Sequence, residues 1–160
     1  KLNLVIANPL YSVALVISSL LIFSGLGAGF SARFKANPVR GITVAVAGII
    51  LSLVMHTLVF AYATPAFLSL GQIGRIIVAV ISLAPVGFFM GMPFPLALEH
   101  LGEKNAPMLP WALAVNGSVS VFAAVFTGIV SMHLGFTAVV VIAIGCYALA
   151  YISFPGRYVR

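Results

Sequence analysis

Few residues in this chain can do chemistry: three histidines, two glutamates, one cysteine and no aspartate among 160 residues. His56 and His133 lie in separate apolar stretches, toward the same end of each, and two facing imidazoles are the donor set for axial ligation of a haem. Their depths differ by several residues, and at about 1.5 Å of rise per residue that offset is awkward for one porphyrin. The favoured reading is a His56 hydrogen-bonded inside a helical bundle and a His133 at its boundary. Glu99, His100 and Glu103 have near-helical spacing for metal ligation, but they adjoin Lys104 and lack further ligands, which fits a solvated helix end better. No nucleophile stands beside a base and no carboxylate pair can share acid and base roles, so the chain alone is expected to be catalytically silent, with no cofactor of its own.

The segment LAPVGFFMGMPFPLALEH places Pro85, Pro93 and Pro95 in one apolar stretch. Each proline removes an amide donor and obstructs the preceding turn. Two prolines two residues apart are expected to break the helix and expose carbonyls that need partners inside a bundle. Such a break can line a transport site, or it can be a kink packed on a neighbour, the reading favoured here. Asn116, beside Gly117 in WALAVNGSVS, is a polar amide a few residues into another apolar stretch. It is costly there unless it hydrogen-bonds across helices. Its expected partner is the freed backbone around residues 92–95, as structural glue in the first reading and as part of a ligand site in the second.

Gly25, Gly27 and Gly29 superficially match a nucleotide-binding glycine loop, but no strand precedes them, the third glycine is at the wrong offset and no acid follows. The structural reading is stronger: Gly25 and Gly29 are four apart and form a face for close helix approach, a spacing that Gly87 and Gly91 repeat.

These residues must be positioned by elements suited to an apolar solvent. The chain is 62% hydrophobic and 6% charged, with a mean hydropathy of +1.22, whereas soluble domains carry about 25% charge. Five uncharged apolar runs, at residues 10–30, 42–63, 76–98, 111–133 and 137–154, are about the length that crosses 30 Å of hydrocarbon as helix. The expected fold is therefore an all-α, polytopic membrane bundle of about five transmembrane helices, the third broken by prolines. The runs are continuous rather than alternating, which disfavours strands. Only Gly135 and its neighbours part the last two runs, so these are expected to form a tight antiparallel hairpin.

The formal charge is +6. Basic residues lie between and beside the apolar runs rather than along one face, which marks cytoplasmic loops and not a nucleic-acid surface. Arg33, Lys35, Arg40, Lys104, Arg157 and Arg160 fall on one side, against Lys1 and Arg75 on the other. The excess predicts an external amino terminus and a cytoplasmic carboxyl terminus, in a chain whose first residue, Lys1, suggests a piece of a longer polypeptide with a further span upstream. The lone Cys146 sits in an apolar run and offers no intrachain disulfide.

In order, the chain reads FSGLGAGFSARF, PVGFFMGMPFPLALEH and PWALAVNGSVSVFAAV, then a Gly-Phe turn and a last run containing tyrosine. This order resembles the carboxyl-terminal membrane domain of bacterial membrane-integrated spermidine-synthase-like proteins, over residues 9–151. Pro85, Gly87, Met90, Gly91, Met92, Pro93, Phe94 and Pro95 match that family's proline block, and Trp111, Asn116 and Gly117 fall at its tryptophan and Asn-Gly block. Leu113 stands where a second Trp is expected, and Ala28 where the glycine turn usually has Ser. The resemblance implies a bacterial cytoplasmic-membrane location and a preceding cytosolic transferase domain that binds S-adenosylmethionine or its decarboxylated form. The chain would anchor or serve that domain or a larger membrane complex. The alternatives are a structural subunit held among other membrane subunits, and a transporter-like unit with its site at the broken third helix. The lipid bilayer is the partner common to all three.

Overall fold

The structure, a computed structural model, describes residues 9–62 and 71–154. Every regular element among them is helical. Helix α1 spans Pro9–Ser31 and tightens into a 3-10 turn, Ala32–Phe34. Helix α2 spans Pro38–Tyr62. Its start is well specified, because the Asn37 side-chain oxygen accepts the Arg40 amide at 3.1 Å and Pro38 takes the first helical position, where no amide is needed. Helix α3 spans Gln72–Met90, α4 Pro93–Asn105 and α5 Leu109–Ser153, with a 3-10 turn, Ala106–Met108, between the last two. Three stretches are long and apolar enough to cross a membrane: Val13–Phe34, Pro38–Val59 and a continuous Ile76–Ser153. The last contains the runs at 76–98, 111–133 and 137–154.

The proline-rich segment is where α3 passes into α4. Pro85 lies inside α3, and Pro93 opens α4. Between them Gly91 (φ −73°, ψ −19°) and Met92 (φ −81°, ψ −40°) stay right-handed. The Met92 amide donates to the Phe89 carbonyl at 3.3 Å and the Leu96 amide to the Met92 carbonyl at 3.4 Å. Helical assignment thus stops at Met90 and resumes at Pro93, and the Met92 amide bonds the Phe89 carbonyl that Pro93, without an N–H, cannot.

The most extensive packing joins α1 to α3. Gly27 of α1 lies directly against the Phe88 carbonyl, and Gly91 against the Ser24 carbonyl, so that a Cβ at either position would overlap main chain. A Cβ on Gly87 would sit 3.1 Å from Phe23 Cβ. Gly87 and Gly91 therefore do form a close-approach face. Gly25 and Gly29 do not: nothing lies within 4 Å of where their Cβ atoms would be. The expectation for that pair is corrected because α3 docks on the side of α1 that carries Leu20, Phe23, Gly27 and Phe30, and two residues, about 200° of helix rotation, separate Gly27 from each of its neighbours in the motif.

The core lies where α2 meets this junction. Ile42, Ala45 and Val46 are buried with Met92 and Leu96, and Tyr147 and Tyr151 of α5, with Phe154 just beyond its end, pack around them. Helix α5 is interrupted at Gly135 (φ 78°, ψ 171°), the one positive-φ residue among those described. A straight helix of its 45 residues would be about 67 Å long, yet both ends meet α4. Leu109 packs 3.6 Å from the Cβ position of Gly102, and the Phe154 ring is 5.4 Å from His100. The two halves of α5 therefore fold back at Gly135, a conformation open to glycine and strained for other residues.

Candidate functional site

Helix α4 is the polar end of an otherwise apolar chain, and two concavities flank it. The first, of about 480 Å³, is lined by Ser31, Lys35, Pro95, Glu99, Gly102 and Leu109 among others. Lys35 Nζ pairs with Glu99 Oε1 at 2.9 Å, across side chains 60% and 33% exposed. The hydrogen bond to Glu99 and its negative charge, with a smaller contribution from Glu103, raise the Lys35 pKa above the ordinary 10.5. The pair fastens the turn after α1 to α4. Beside it the Arg33 guanidinium lies 4.7 Å from the Phe30 ring centroid, where the ring face attracts a cation.

The second concavity, of about 650 Å³, runs along the start of α5, where Leu101, Met108, Trp111, Val115, Asn116 and Ser120 line it. Its polar side-chain groups are the Trp111 indole N–H, the Asn116 amide and the Ser120 hydroxyl. Ser120 Oγ donates to the main-chain carbonyl of Asn116 at 2.6 Å, so that hydroxyl is engaged without occupying the amide. The Asn116 side chain is exposed and makes no hydrogen bond among the described residues. The expected bond to the backbone around residues 92–95 is not formed: Met92 is fully buried against α2, whereas Asn116 opens onto this outer groove.

The remaining singled-out residues do not converge on one site. Gly87 and Gly91 are absorbed in the contacts with α1, Pro93 is half-buried at the start of α4, Pro85 is exposed on α3, and Pro95 lines the ion-pair cavity. Gly117, next to the groove-lining Asn116, faces open space. His56 is half-buried on α2 and His133 is exposed beside the Gly135 break. Glu99, His100 and Glu103 are not gathered on one ligand: Glu99 pairs with Lys35, whose pKa Glu103 also raises, and the His100 ring packs tilted at 43° against Phe154 with its buried Nε2 lacking a hydrogen-bond partner. No group of three His, Cys, Asp or Glu side chains that could hold a metal ion occurs among the described residues.

Two polar contacts were not anticipated from the sequence. One is the Lys35–Glu99 pair, for which the only signal is that a basic turn and an acidic helix end fall on the same predicted side. The other joins the Thr43 hydroxyl, which donates to the Val39 carbonyl at 2.8 Å, to the Tyr151 hydroxyl 3.4 Å away. Comparison of the chain with protein-family models, curated proteins and solved structures finds no match.

Proposed function

We propose that this chain is the membrane-embedded helical domain of a spermidine-synthase-like protein, which anchors a cytosolic transferase domain and supplies no catalytic group of its own. The observation that carries this reading is the coincidence of motif and architecture. Three residues of the family's proline block, Gly87, Gly91 and Met92, lie in the contacts by which α3 and α4 dock on α1 and α2, while Pro85, Met90 and Phe94 of the same block are exposed. At Gly87 and Gly91 the close approach of α1 leaves no space for a larger side chain, which supplies a physical reason for glycine at those two positions of the block. In this reading the long third apolar stretch carries three spans divided at the proline block's far end and at Gly135, giving five in all. The end bearing Arg33, Lys35, Arg40 and Lys104 faces the cytoplasm by the positive-inside rule.

The test is native mass spectrometry of the undigested protein extracted from bacterial membranes, followed by calorimetric titration with S-adenosylmethionine and its decarboxylated form. A covalently or tightly attached domain that binds one of these nucleosides is the expected result. A chain that travels only with other membrane proteins and binds neither sinks the anchoring role. It leaves a structural subunit, which is favoured by one specific feature: the first half of α5 is exposed at nearly every position, with Val130 its one buried residue.

A further inference from the structure

The groove along the start of α5 contains an amide without a partner, in a segment otherwise fit for lipid. We infer that this groove seats the same segment of a second copy of the chain, with the two Asn116 amides paired across a two-fold axis along the membrane normal. The inference rests on the membrane-spanning reading of α5 given above.

Asn116 lies five residues beyond Trp111, about 7–8 Å further along the helix axis. With Trp111 at the interface, where indole rings favour the boundary, Asn116 is within the hydrocarbon. There an amide needs donors and acceptors. Ser120 makes no hydrogen bond with the amide; its hydroxyl donates to the Asn116 main-chain carbonyl instead. Lipid tails have none to offer. A second Asn116 does, because one amide carries both donor hydrogens and an acceptor oxygen and is complementary to its own symmetry mate.

The surrounding surface suits a helix rather than a tail. Ala112, Asn116, Ser120 and Ala123 fall on one stripe of α5, all line the groove, and three of them are small enough to let a partner backbone approach. Larger apolar side chains, Val115 and Val119, border the stripe and would interdigitate with their counterparts. No charged side chain lines the groove, so nothing in it calls for a charged ligand. Two copies inserted with the same topology bring these stripes together in parallel, each Asn116 opposite the other.

The chain's single cysteine makes the test direct. In the full Cys146→Ser chain, Ala112→Cys or Ser120→Cys is placed on the stripe, and Ala114→Cys or Val121→Cys on the opposite face. Membranes are washed at alkaline pH, and retention of the protein there tests the spanning reading on its own. Oxidation is expected to give disulfide-linked dimers from positions 112 and 120 and monomers from 114 and 121. Adding Asn116→Leu should weaken dimer formation about tenfold, the scale of an interhelical polar contact in a membrane, and Asn116→Gln should retain most of it. The sole tryptophan, Trp111, provides a second readout. In vesicles of brominated phospholipid its fluorescence should be partly shielded in the parent chain and more strongly quenched in Asn116→Leu. Monomers from all four positions in retained protein, or equal linking from both faces, overturns the inference. So does equal Trp111 quenching in both chains, which would mean that acyl chains fill the groove.

Discussion

Gly91, at the junction of α3 and α4, rests against the main-chain carbonyl of Ser24 on α1, with no room between them for a Cβ. Gly27 makes the reciprocal contact with the Phe88 carbonyl. A methyl group at either position meets backbone, which yields less readily than the tip of a side chain. Gly27→Ala and Gly91→Ala should each destabilise the bundle by about 1–3 kcal/mol, the usual cost of overpacking. Gly25→Ala and Gly29→Ala meet nothing and should be neutral or gain up to about 1 kcal/mol from helix propensity. Thermal unfolding of the four variants in detergent checks the order; equal effects from all four would contradict the assignment of the inner face.

The Lys35–Glu99 pair makes a statement about pH. The Lys35 pKa is raised by its partner above 10.5, so its contribution is fully present below that ordinary value and is lost as pH rises through the higher folded value. The stability difference between the parent chain and Lys35→Met should therefore stay constant from neutral pH to about 9 and shrink only in strongly alkaline solution. Because the lysine is exposed, molar salt should reduce the same difference at neutral pH. A difference that already collapses between pH 7 and 9 would show that another group controls it.

How far the sequence reveals this structure depends on the kind of question. Continuous apolar runs make the helices legible, with a length and composition that suit a membrane, because a backbone in lipid must satisfy its hydrogen bonds internally. Gly135 is legible as the turn between the last two runs because so little else separates them. Rotation of a helix about its own axis is not legible. Helix α1 is apolar on every side, so its periodicity does not distinguish Gly27 from Gly25 and Gly29. The direction of Asn116 fails for the same reason: a lone amide shows that a partner is needed and is silent about which side the partner occupies. The Lys35–Glu99 pair joins residues distant in sequence, and only the folding of α4 beneath α1 brings them together.

Gly135 carries the reversal of α5 at φ 78° and ψ 171°, a region nearly closed to residues with a Cβ. Gly135→Ala should cost about 1–3 kcal/mol, although nothing surrounds the position to clash with the added methyl. Gly145→Ala, also in open space but in ordinary helix, serves as the control and should not destabilise. If the reversal is what returns the end of α5 to α2, the strain should also loosen the contacts of Tyr147 and Tyr151 with the core. Faster hydrogen exchange of the amides around residues 147–151 in Gly135→Ala, with α1 and α3 unchanged, is the expected pattern.

Leu96 is 1% exposed and fills the space between α2, α4 and the end of α5, within 2.9 Å of where a Cβ on Gly41 would lie. Truncation removes contacts on several helices at once and leaves a cavity that close-packed neighbours fill only in part. In water Leu→Ala at such a site costs about 2–5 kcal/mol. In a bilayer the transfer component is small, because lipid tails are as apolar as the core, and the loss reduces to missing dispersion contacts and the cavity. Leu96→Ala should therefore fall near the lower end of that range. Asn116→Leu, on an exposed face and outside the core, should leave the thermal midpoint of the monomer in detergent unchanged. A large destabilisation by Asn116→Leu together with a negligible one by Leu96→Ala would require the amide to be buried within a single copy.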